Sequence, residues 1–178
     1  NMVPLGFSWA PGVGPDDNGE TVNRLALTTV LDDAARVAIG LPSGAWIQGP
    51  ISATAEIQSV GGAARAAVVN VNLRDAALAV AGMPWGKPVG EDGVAQLTLG
   101  PDAMGDLQVR SFALSAAGLA ASGSVRMDAA GEFEQMSIAR LVLDQNNLSA
   151  TISRPESGVL QVAVQGESFD LRPFMGRL

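Results

Sequence analysis

Apolar and polar residues alternate with a period of two over most of the chain after residue 50. In the segment ISATAEI, residues 51–57, the odd positions are Ile or Ala and the even positions are Ser, Thr or Glu. Successive side chains of a β-strand point to opposite faces, so this pattern predicts a strand with one apolar and one polar face. The glycines at 61 and 62 separate it from a second alternating segment, 63–73, and the two together predict a β-hairpin.

The same alternation continues to residue 166, interrupted by short runs of turn-forming residues. The further alternating segments are 94–99, 106–114, 119–127, 133–143, 147–153 and 158–166. Gly123 interrupts one of them, which is typical of a β-bulge, and a register change is expected near Ser111 and Phe112. The pattern predicts a mainly β fold, an antiparallel meander of about 8–10 strands that forms a curved sheet or open groove.

A different spacing appears in VLDDAARVAIGLP, residues 30–42. Its apolar residues recur at helical intervals, two aspartates stand in the first turn, and a glycine and a proline end it. This predicts one short helix near residues 31–39. The final segment, 169–178, indicates a C-terminal helical turn, which Pro173 disfavours. Residues 1–20, rich in Gly, Pro and Asp, predict a lead-in segment with at most one short strand, so the sheet domain is expected to cover 21–178.

The amino-acid composition excludes several kinds of catalytic and metal site. The 178 residues include no histidine and no cysteine, which excludes disulfides, thiolate nucleophiles, the usual zinc sites and a Ser-His-Asp triad. A net charge of −7 with scattered basic residues disfavours nucleic acid as a partner. No apolar run reaches the roughly 18 to 20 residues that span a bilayer, so no membrane span is predicted within the chain. We therefore expect no enzymatic activity, no cofactor and no metal site.

The segment MPWGKPVGEDG, residues 83–93, admits two interpretations. A catalytic one would use Lys87 with Glu91 or Asp92 as acid and base. A structural one makes the segment a corner between strands, with Trp85 packed beneath it and Lys87 in solvent or against a lipid headgroup. No histidine, cysteine or metal cluster completes a catalytic site, so the structural corner is preferred. Its residues are Pro84, Trp85, Lys87, Pro88 and Gly90.

Two further motifs are weak. The acidic segment DDNGE, residues 16–20, offers oxygen ligands for Ca²⁺, but its spacing does not match an EF-hand loop, and a solvated loop is expected. The segment GESFD, residues 166–170, is similar to a serine-nucleophile motif. However, Asp170 stands in place of the second glycine and no histidine exists to activate Ser168, so a strand end followed by a helix N-cap is predicted.

Three phrases occur in an order that carries a family resemblance. They are TVLDDAARVAIGLPSGAWIQGPISATAEI, VNVNLRDAALAVAGMPWGKPVGEDGVAQLTL and VQGESFDLRPFM. The middle phrase, with Trp85, Lys87, Pro88 and Gly90, is the most specific, although a proline is expected earlier than Pro84. Over about residues 25–175 the chain resembles the AsmA-like superfamily, in particular bacterial envelope proteins of the YhdP type and their AsmA-like C-terminal domain of unknown function.

The resemblance implies a periplasmic β-sheet structure tethered to the inner membrane by an anchor outside this chain, which begins and ends abruptly and is expected to be a fragment. In such proteins a long curved sheet forms a groove whose concave face is aliphatic, and the family is associated with phospholipid movement and envelope integrity. The implied function is therefore that of a segment of a periplasmic lipid-transfer protein. The implied partners are phospholipid and neighbouring segments of the same protein.

The residues expected to line the groove share the apolar side of the alternation. They are Ile51, Ala53, Ala55, Ile57, Val69, Val71, Leu97, Leu99, Leu107, Val109, Ile138, Val142, Leu148, Ile152, Val162 and Val164. An alternating apolar face more commonly packs against a second layer in a closed core, and that interpretation stays open. The functional alternative is a non-catalytic structural or assembly module of the cell envelope that binds protein rather than lipid.

Overall fold

A computed structural model describes the residues 5–15, 19–38, 46–79, 85–101, 107–128, 133–143, 146–155 and 159–168. Within them the chain forms one helix and thirteen strands. In chain order the elements are β1 Leu5–Pro15, β2 Thr21–Leu31, α1 Asp33–Ala38, β3 Ile47–Gln48, β4 Ile51–Val60, β5 Ala63–Asn72, β6 Ala77–Ala79, β7 Gly86–Lys87, β8 Gly93–Pro101, β9 Leu107–Ala116, β10 Leu119–Met127, β11 Phe133–Leu143, β12 Asn146–Ser153 and β13 Gln161–Ser168.

Ten of the strands form one antiparallel sheet in the order β1-β2-β4-β5-β8-β9-β10-β11-β12-β13. Neighbours in the sheet are also neighbours among these ten strands in the chain, so the sheet is a meander, and it is curved and not closed into a barrel. The predicted hairpin is present as β4 and β5. The prediction of a mainly β antiparallel meander with one short helix is confirmed.

The remaining elements are insertions at one end of the sheet. Helix α1 and β3 lie between β2 and β4, and β6 and β7 lie between β5 and β8. The strands β3, β6 and β7 form a separate three-stranded antiparallel sheet. We call α1, this small sheet and Trp85 the cap.

The strand register aligns the alternation of all ten strands, so that one face of the sheet is apolar and the other polar. We call the apolar face the one that carries the cross-strand row Phe7, Leu27, Ala55, Val69, Leu97, Phe112, Gly123, Ile138, Ala150 and Val164. The polar face carries the row Gly6, Thr28, Thr54, Asn70, Gln96, Ala113, Ser122 and Arg140.

The buried core lies where the cap covers the apolar face at the ends of the strands. Its members are Leu31, Ala35, Ile47, Ile51, Leu73, Ala76, Leu78, Trp85, Leu119 and Leu143. Five apolar-face residues, among them Val71 and Leu141, are half-buried and pack against this cluster. The core is therefore a small structure at one end of the sheet and does not extend along the strands.

Two strands differ from the sequence prediction. β1 has eleven residues where at most a short strand was expected, and it pairs with β2 in the same sheet as the rest of the domain. β2 has alternating leucines at 25, 27 and 31, but Asn23 and Thr29 occupy the same side and hide the pattern. Pairing with β4 along its whole length compensates for these polar positions.

The helix agrees closely with the pattern, and the irregular strand positions agree with it in part. α1 covers Asp33–Ala38 within the predicted 31–39, and the Asp32 side chain caps it by accepting a hydrogen bond from the Ala35 N–H at 2.7 Å. The bulge predicted at Gly123 lies instead on the two strands beside it: Ala139 is the extra residue in β11, and Arg110 is the extra residue in β9, near the expected register change. The C-terminal turn, Phe169, Asp170 and most of the acidic segment 16–20 lie outside the described residues.

Candidate functional site

The apolar face has no second layer over most of its area in the part of the chain that the structure describes. Beyond the cap, the apolar-face side chains of β2, β4, β5, β8 and β9 are half-buried, with lateral neighbours but no covering element. At the two edge strands the same face is exposed, as at Phe7 in β1 and Val164 in β13. A closed core would bury mid-strand aliphatic side chains almost completely. We call this uncovered area the open strip.

The open strip is large. Beyond the cap it extends along about six residues of each strand, or roughly 20 Å, and it crosses ten strands spaced about 4.8 Å apart, or roughly 40 Å. That corresponds to roughly 800 Å², whereas the largest apolar patch of an ordinary soluble monomer is about 300 to 600 Å². An apolar surface of this size is typical of a site that contacts another molecule.

The register places most of the predicted groove residues together on the apolar face. Those on this face are Ala53, Ala55, Ile57, Val69, Val71, Leu97, Leu99, Val109, Ile138, Leu148, Ile152, Val162 and Val164, together with Ile51. Ile51, however, belongs to the buried core beneath the cap, and Val71 packs against that core. The backbone of Leu107 pairs with Pro101 in the apolar-face register.

Val142 is an exception, and its assignment to the groove is wrong. It pairs with Ala120 on one side and Asn147 on the other, which puts it on the polar face. The cause is a register shift between Ile138 and Leu141, where an additional residue is inserted into β11. A bulge of this kind reverses the parity of the positions that follow it, so Leu141 takes the apolar position that simple alternation gives to Val142.

Lys87 is not in solvent, contrary to the expectation for the corner. Its side chain is 1% exposed, and its stem passes Gly93, where a Cβ atom would lie 3.0 Å from the Lys87 Cε. The Nζ group donates hydrogen bonds to the carbonyl oxygens of Ala76 at 2.7 Å, Pro88 at 2.9 Å and Glu91 at 3.0 Å, and approaches that of Arg74 at 3.4 Å. The ammonium therefore joins the loop that precedes β6 to the loop that follows β7.

The rest of the corner has the predicted structural character. Trp85 is buried in the core, and its Nε1–H donates to the Ala117 carbonyl at 2.9 Å. Gly90 has a φ of +94°, a backbone conformation that side chains other than glycine rarely adopt, and its N–H donates to the Arg74 carbonyl at 2.8 Å. Asp92 pairs with Arg74 at 3.0 Å rather than with Lys87. Pro88 is exposed at the turn, and Pro84 lies outside the described residues.

Arg36 is a second buried cation of the cap, which the sequence pattern did not single out. It is 2% exposed, donates from Nη1 to the Gly49 carbonyl at 2.6 Å and to the Leu31 carbonyl at 3.3 Å, and forms an ion pair with Asp33. The Asp33 carboxylate also accepts from the Gly49 N–H at 3.2 Å. Arg36 thus holds the β3–β4 connection against the end of β2.

The polar face carries neutral side chains at its centre. A depression of about 570 Å³ is lined there by hydroxyl and amide residues together with Val94 and Ala113, and apolar-face residues such as Ala53 contribute to the same lining. Asn70 and Gln96 face each other across β5 and β8, and the Gln96 Nε2 donates to the Asn70 Oδ1 at 2.8 Å. The hydroxyl and amide side chains of this face contrast with the aliphatic side chains of the face behind it.

The described residues also bear on metal sites and on membrane-spanning helices. Among these residues, no group of three or more acidic side chains is placed to hold a metal ion. No helix in the described ranges is long and apolar enough to cross a membrane.

Sequence and structure comparisons leave the family open. Family models, curated proteins and solved structures gave no significant match to this chain. The resemblance to the AsmA-like superfamily therefore stays a hypothesis, and the fold and site define a class by geometry alone: a curved, open antiparallel sheet with one large uncovered apolar face.

Proposed function

We propose that this chain is a segment of a periplasmic lipid-transfer and envelope-integrity protein, and that the open strip contacts the acyl chains of phospholipids. The observation that carries the proposal is the apolar row from Phe7 in β1 to Val164 in β13, which no element of the described ranges covers beyond the cap. The AsmA-like resemblance supports the periplasmic location and an inner-membrane anchor outside this chain.

The chemistry of the strip suits a hydrocarbon ligand. Aliphatic side chains offer dispersion and a water-free surface without hydrogen-bond donors, which is what an acyl chain requires. Removing aliphatic surface from water is favourable by about 25 cal/mol per Å². A strip of roughly 800 Å² therefore has a strong tendency to acquire an apolar partner.

The second candidate is an assembly module whose apolar face packs against another protein. The observation that favours it is the same uncovered surface, since apolar area by itself does not distinguish a lipid from a protein surface. The two candidates differ in what purifies with the chain. A lipid conduit carries phospholipid after gentle extraction, whereas an assembly module carries protein or nothing.

The test combines native mass spectrometry with a matched pair of variants. Leu97 lies on the open strip, and its neighbour Gln96 lies on the polar face of the same strand. We expect phospholipid adducts on the wild-type chain and on Gln96→Arg, and their loss from Leu97→Arg. Circular dichroism establishes that both variants are folded. Wild-type protein that never carries phospholipid, even after incubation with phospholipid vesicles, would contradict the proposal.

A further inference from the structure

The polar face carries a basic pocket near the end of the strands that is away from the cap. The pocket has a volume of about 230 Å³ and lies across β9, β10 and β11, which are interior strands of the ten-stranded sheet. The described polar side chains that line it belong to two arginines, two serines and two glutamines. They are Arg110, Arg126, Ser124, Ser137, Gln108 and Gln135. We call it the arginine pocket.

The strand register places the arginine pocket on the polar face. Along β10, Ser124 and Arg126 follow the polar-face residue Ser122 at intervals of two. Each of them pairs with a polar residue of β11, which is Ser137 or Gln135. The pocket therefore opens on the side of the sheet opposite to the open strip.

The charge of this pocket is opposite to that of the chain. The chain has 18 acidic and 11 basic residues, yet the described residues that line the pocket include two arginines and no acidic side chain. Arg110 and Arg126 lie on adjacent strands as diagonal neighbours, at a Cβ separation of roughly 7 to 8 Å. Two like charges at this separation repel each other, so an anion bound between them relieves the repulsion.

The neighbouring carboxylate neutralises little of this charge. Glu134 approaches the Arg126 guanidinium at 3.9 Å, and both side chains are substantially exposed to solvent. Ion pairs of this kind are weak, because water screens the attraction and the two long side chains stay mobile. Arg126 can therefore exchange Glu134 for a better placed anion.

The fold holds Arg110 in this position. Arg110 is the extra residue of the bulge in β9, and a bulge of this kind redirects a side chain. Its stem crosses Gly100 of β8, where a Cβ atom would lie 2.6 Å from the Arg110 Nε, and its Nη2 donates a hydrogen bond to the Pro101 carbonyl. A guanidinium has five N–H donors, so this bond leaves others for a ligand.

The Gln108 side chain joins the two strands that carry the arginines. Its Nε2 donates to the Met127 carbonyl at 3.0 Å, and its Oε1 accepts from the Met127 N–H at 2.8 Å. The amide thereby takes the place of a backbone partner between β9 and β10. Because Arg126 immediately precedes Met127, these two bonds fix the backbone of Arg126 relative to the strand of Arg110.

We propose that the arginine pocket is an anion site that binds a phosphate group. Guanidinium groups bind phosphate oxygens through paired, charge-assisted hydrogen bonds, and the hydroxyls of Ser124 and Ser137 supply further donors. The phosphate group belongs either to a soluble phosphate compound or to the headgroup of a lipid. The site lies behind the open strip and does not rest on the function proposed for that surface.

NMR titration of the whole chain with inorganic phosphate, at constant ionic strength, tests the site. We expect saturable shifts of the Ser124 and Ser137 backbone amides, and a dissociation constant raised roughly tenfold or more by Arg110→Gln and by Arg126→Gln. Arg24→Gln is the control, because it removes the same charge from the polar face of β2, roughly 20 Å away, and should leave the dissociation constant nearly unchanged.

Circular dichroism establishes that the three variants are folded, and Arg126→Gln, at an exposed position, keeps the test valid if Arg110→Gln does not fold. Wild-type amides that show no saturable shift overturn the proposal. So does an Arg24→Gln variant that loses as much affinity as Arg126→Gln, since the binding would then follow the charge of the whole chain.

Vesicle binding separates the two sources of the phosphate group. Phosphatidic acid vesicles that bind more chain than phosphatidylcholine vesicles, by an excess that Arg126→Gln removes, identify a lipid headgroup as the ligand. Saturable phosphate binding without this excess identifies a soluble phosphate compound, and either result supports the site. Leu97→Arg, on the open strip, should leave phosphate binding unchanged, so the site and the lipid contact can fail independently.

Discussion

The indole Nε1–H of Trp85 donates a hydrogen bond of 2.9 Å to the carbonyl oxygen of Ala117, in the turn between β9 and β10. This bond joins the cap to the far half of the sheet, thirty-two residues away in the chain. The Trp85 ring is buried in the same core as Leu119, which begins β10. One side chain therefore supplies both a polar and an apolar attachment of the cap to the sheet.

Replacing Trp85 with Phe removes the hydrogen bond and leaves a smaller ring in the core. We expect the free energy of unfolding to fall by about 2 kcal/mol, because a hydrogen bond contributes about 1 kcal/mol and the lost ring volume adds a similar amount. Urea denaturation followed by circular dichroism measures the change. Trp46→Phe is the control, since Trp46 is exposed, and it should shift stability by less than about 0.5 kcal/mol. Equal effects of the two variants would contradict this role of Trp85.

Replacing Lys87 with Met keeps the length of the side chain and removes its charge. The carbonyls of Ala76, Pro88 and Glu91 then lose their donor in a region that the cap partly shields from water. Because hydrogen bonds to charged groups contribute about 1.5 to 3 kcal/mol net, we expect a loss of at least about 2 kcal/mol in urea denaturation. Arg65→Met, at an exposed cation of β5, should be nearly neutral. A Lys87→Met chain as stable as the wild type would show that the carbonyls find water instead.

The period-two pattern was sufficient to predict β4, β5, the strands from β8 to β13 and the class of fold. Along this meander the apolar positions of one strand pair with the apolar positions of the next. Alternation within each strand therefore gives the correct face at most positions, such as Val69 and Leu97. It fails at Val142, because a bulge in β11 reverses the parity. The odd or even position of a residue predicts its face only while the ladder is regular. The position of a bulge depends on the partner strand and cannot be predicted from the strand itself.

The cap could not be predicted in the same way. Lys87 has the composition of an exposed loop residue, and its burial depends on carbonyls from segments as far away as Arg74. Arg36 likewise finds its acceptors at Leu31 and Gly49, on both sides of the helix. Such sites arise when loops converge in space, and their members share no periodicity in the sequence. The uncovered state of the apolar face is similarly invisible to alternation, which a closed core would also produce.

Gly123, which lies beside the bulges of β9 and β11, provides a test of close backbone packing. A Cβ atom on residue 123 would overlap the Ser137 carbonyl oxygen and lie 3.0 Å from the Phe112 ring, so the strands must separate to accept it. We expect Gly123→Ala to lower the free energy of unfolding by about 2 to 3 kcal/mol. At Gly6, where the nearest atom would be 3.7 Å away, alanine fits without displacement. Thermal melts that rank Gly6→Ala below Gly123→Ala in stability would contradict the register at the bulge.

Substitutions at two valines of β5, Val69 and Val71, distinguish an effect on folding from an effect on lipid contact. Both are half-buried on the apolar face, but Val71 packs against the core under the cap, whereas Val69 lies on the open strip. An arginine at 71 places a charge against a buried cluster and should cost several kcal/mol, which appears as a large drop in melting temperature. An arginine at 69 can extend its guanidinium into water over the strip, so the melting transition should survive.

For Val69→Arg, the proposed function therefore predicts a folded chain that no longer retains phospholipid, since a charged group interrupts the hydrocarbon surface on which acyl chains would lie. Asn70→Arg, between the two valines and on the polar face, should keep both the fold and the lipid. The measurements are thermal melts by circular dichroism and phospholipid content after gentle extraction. If Val69→Arg abolishes the melting transition as Val71→Arg does, the strip is covered in solution and the lipid-contact proposal loses the observation that carries it.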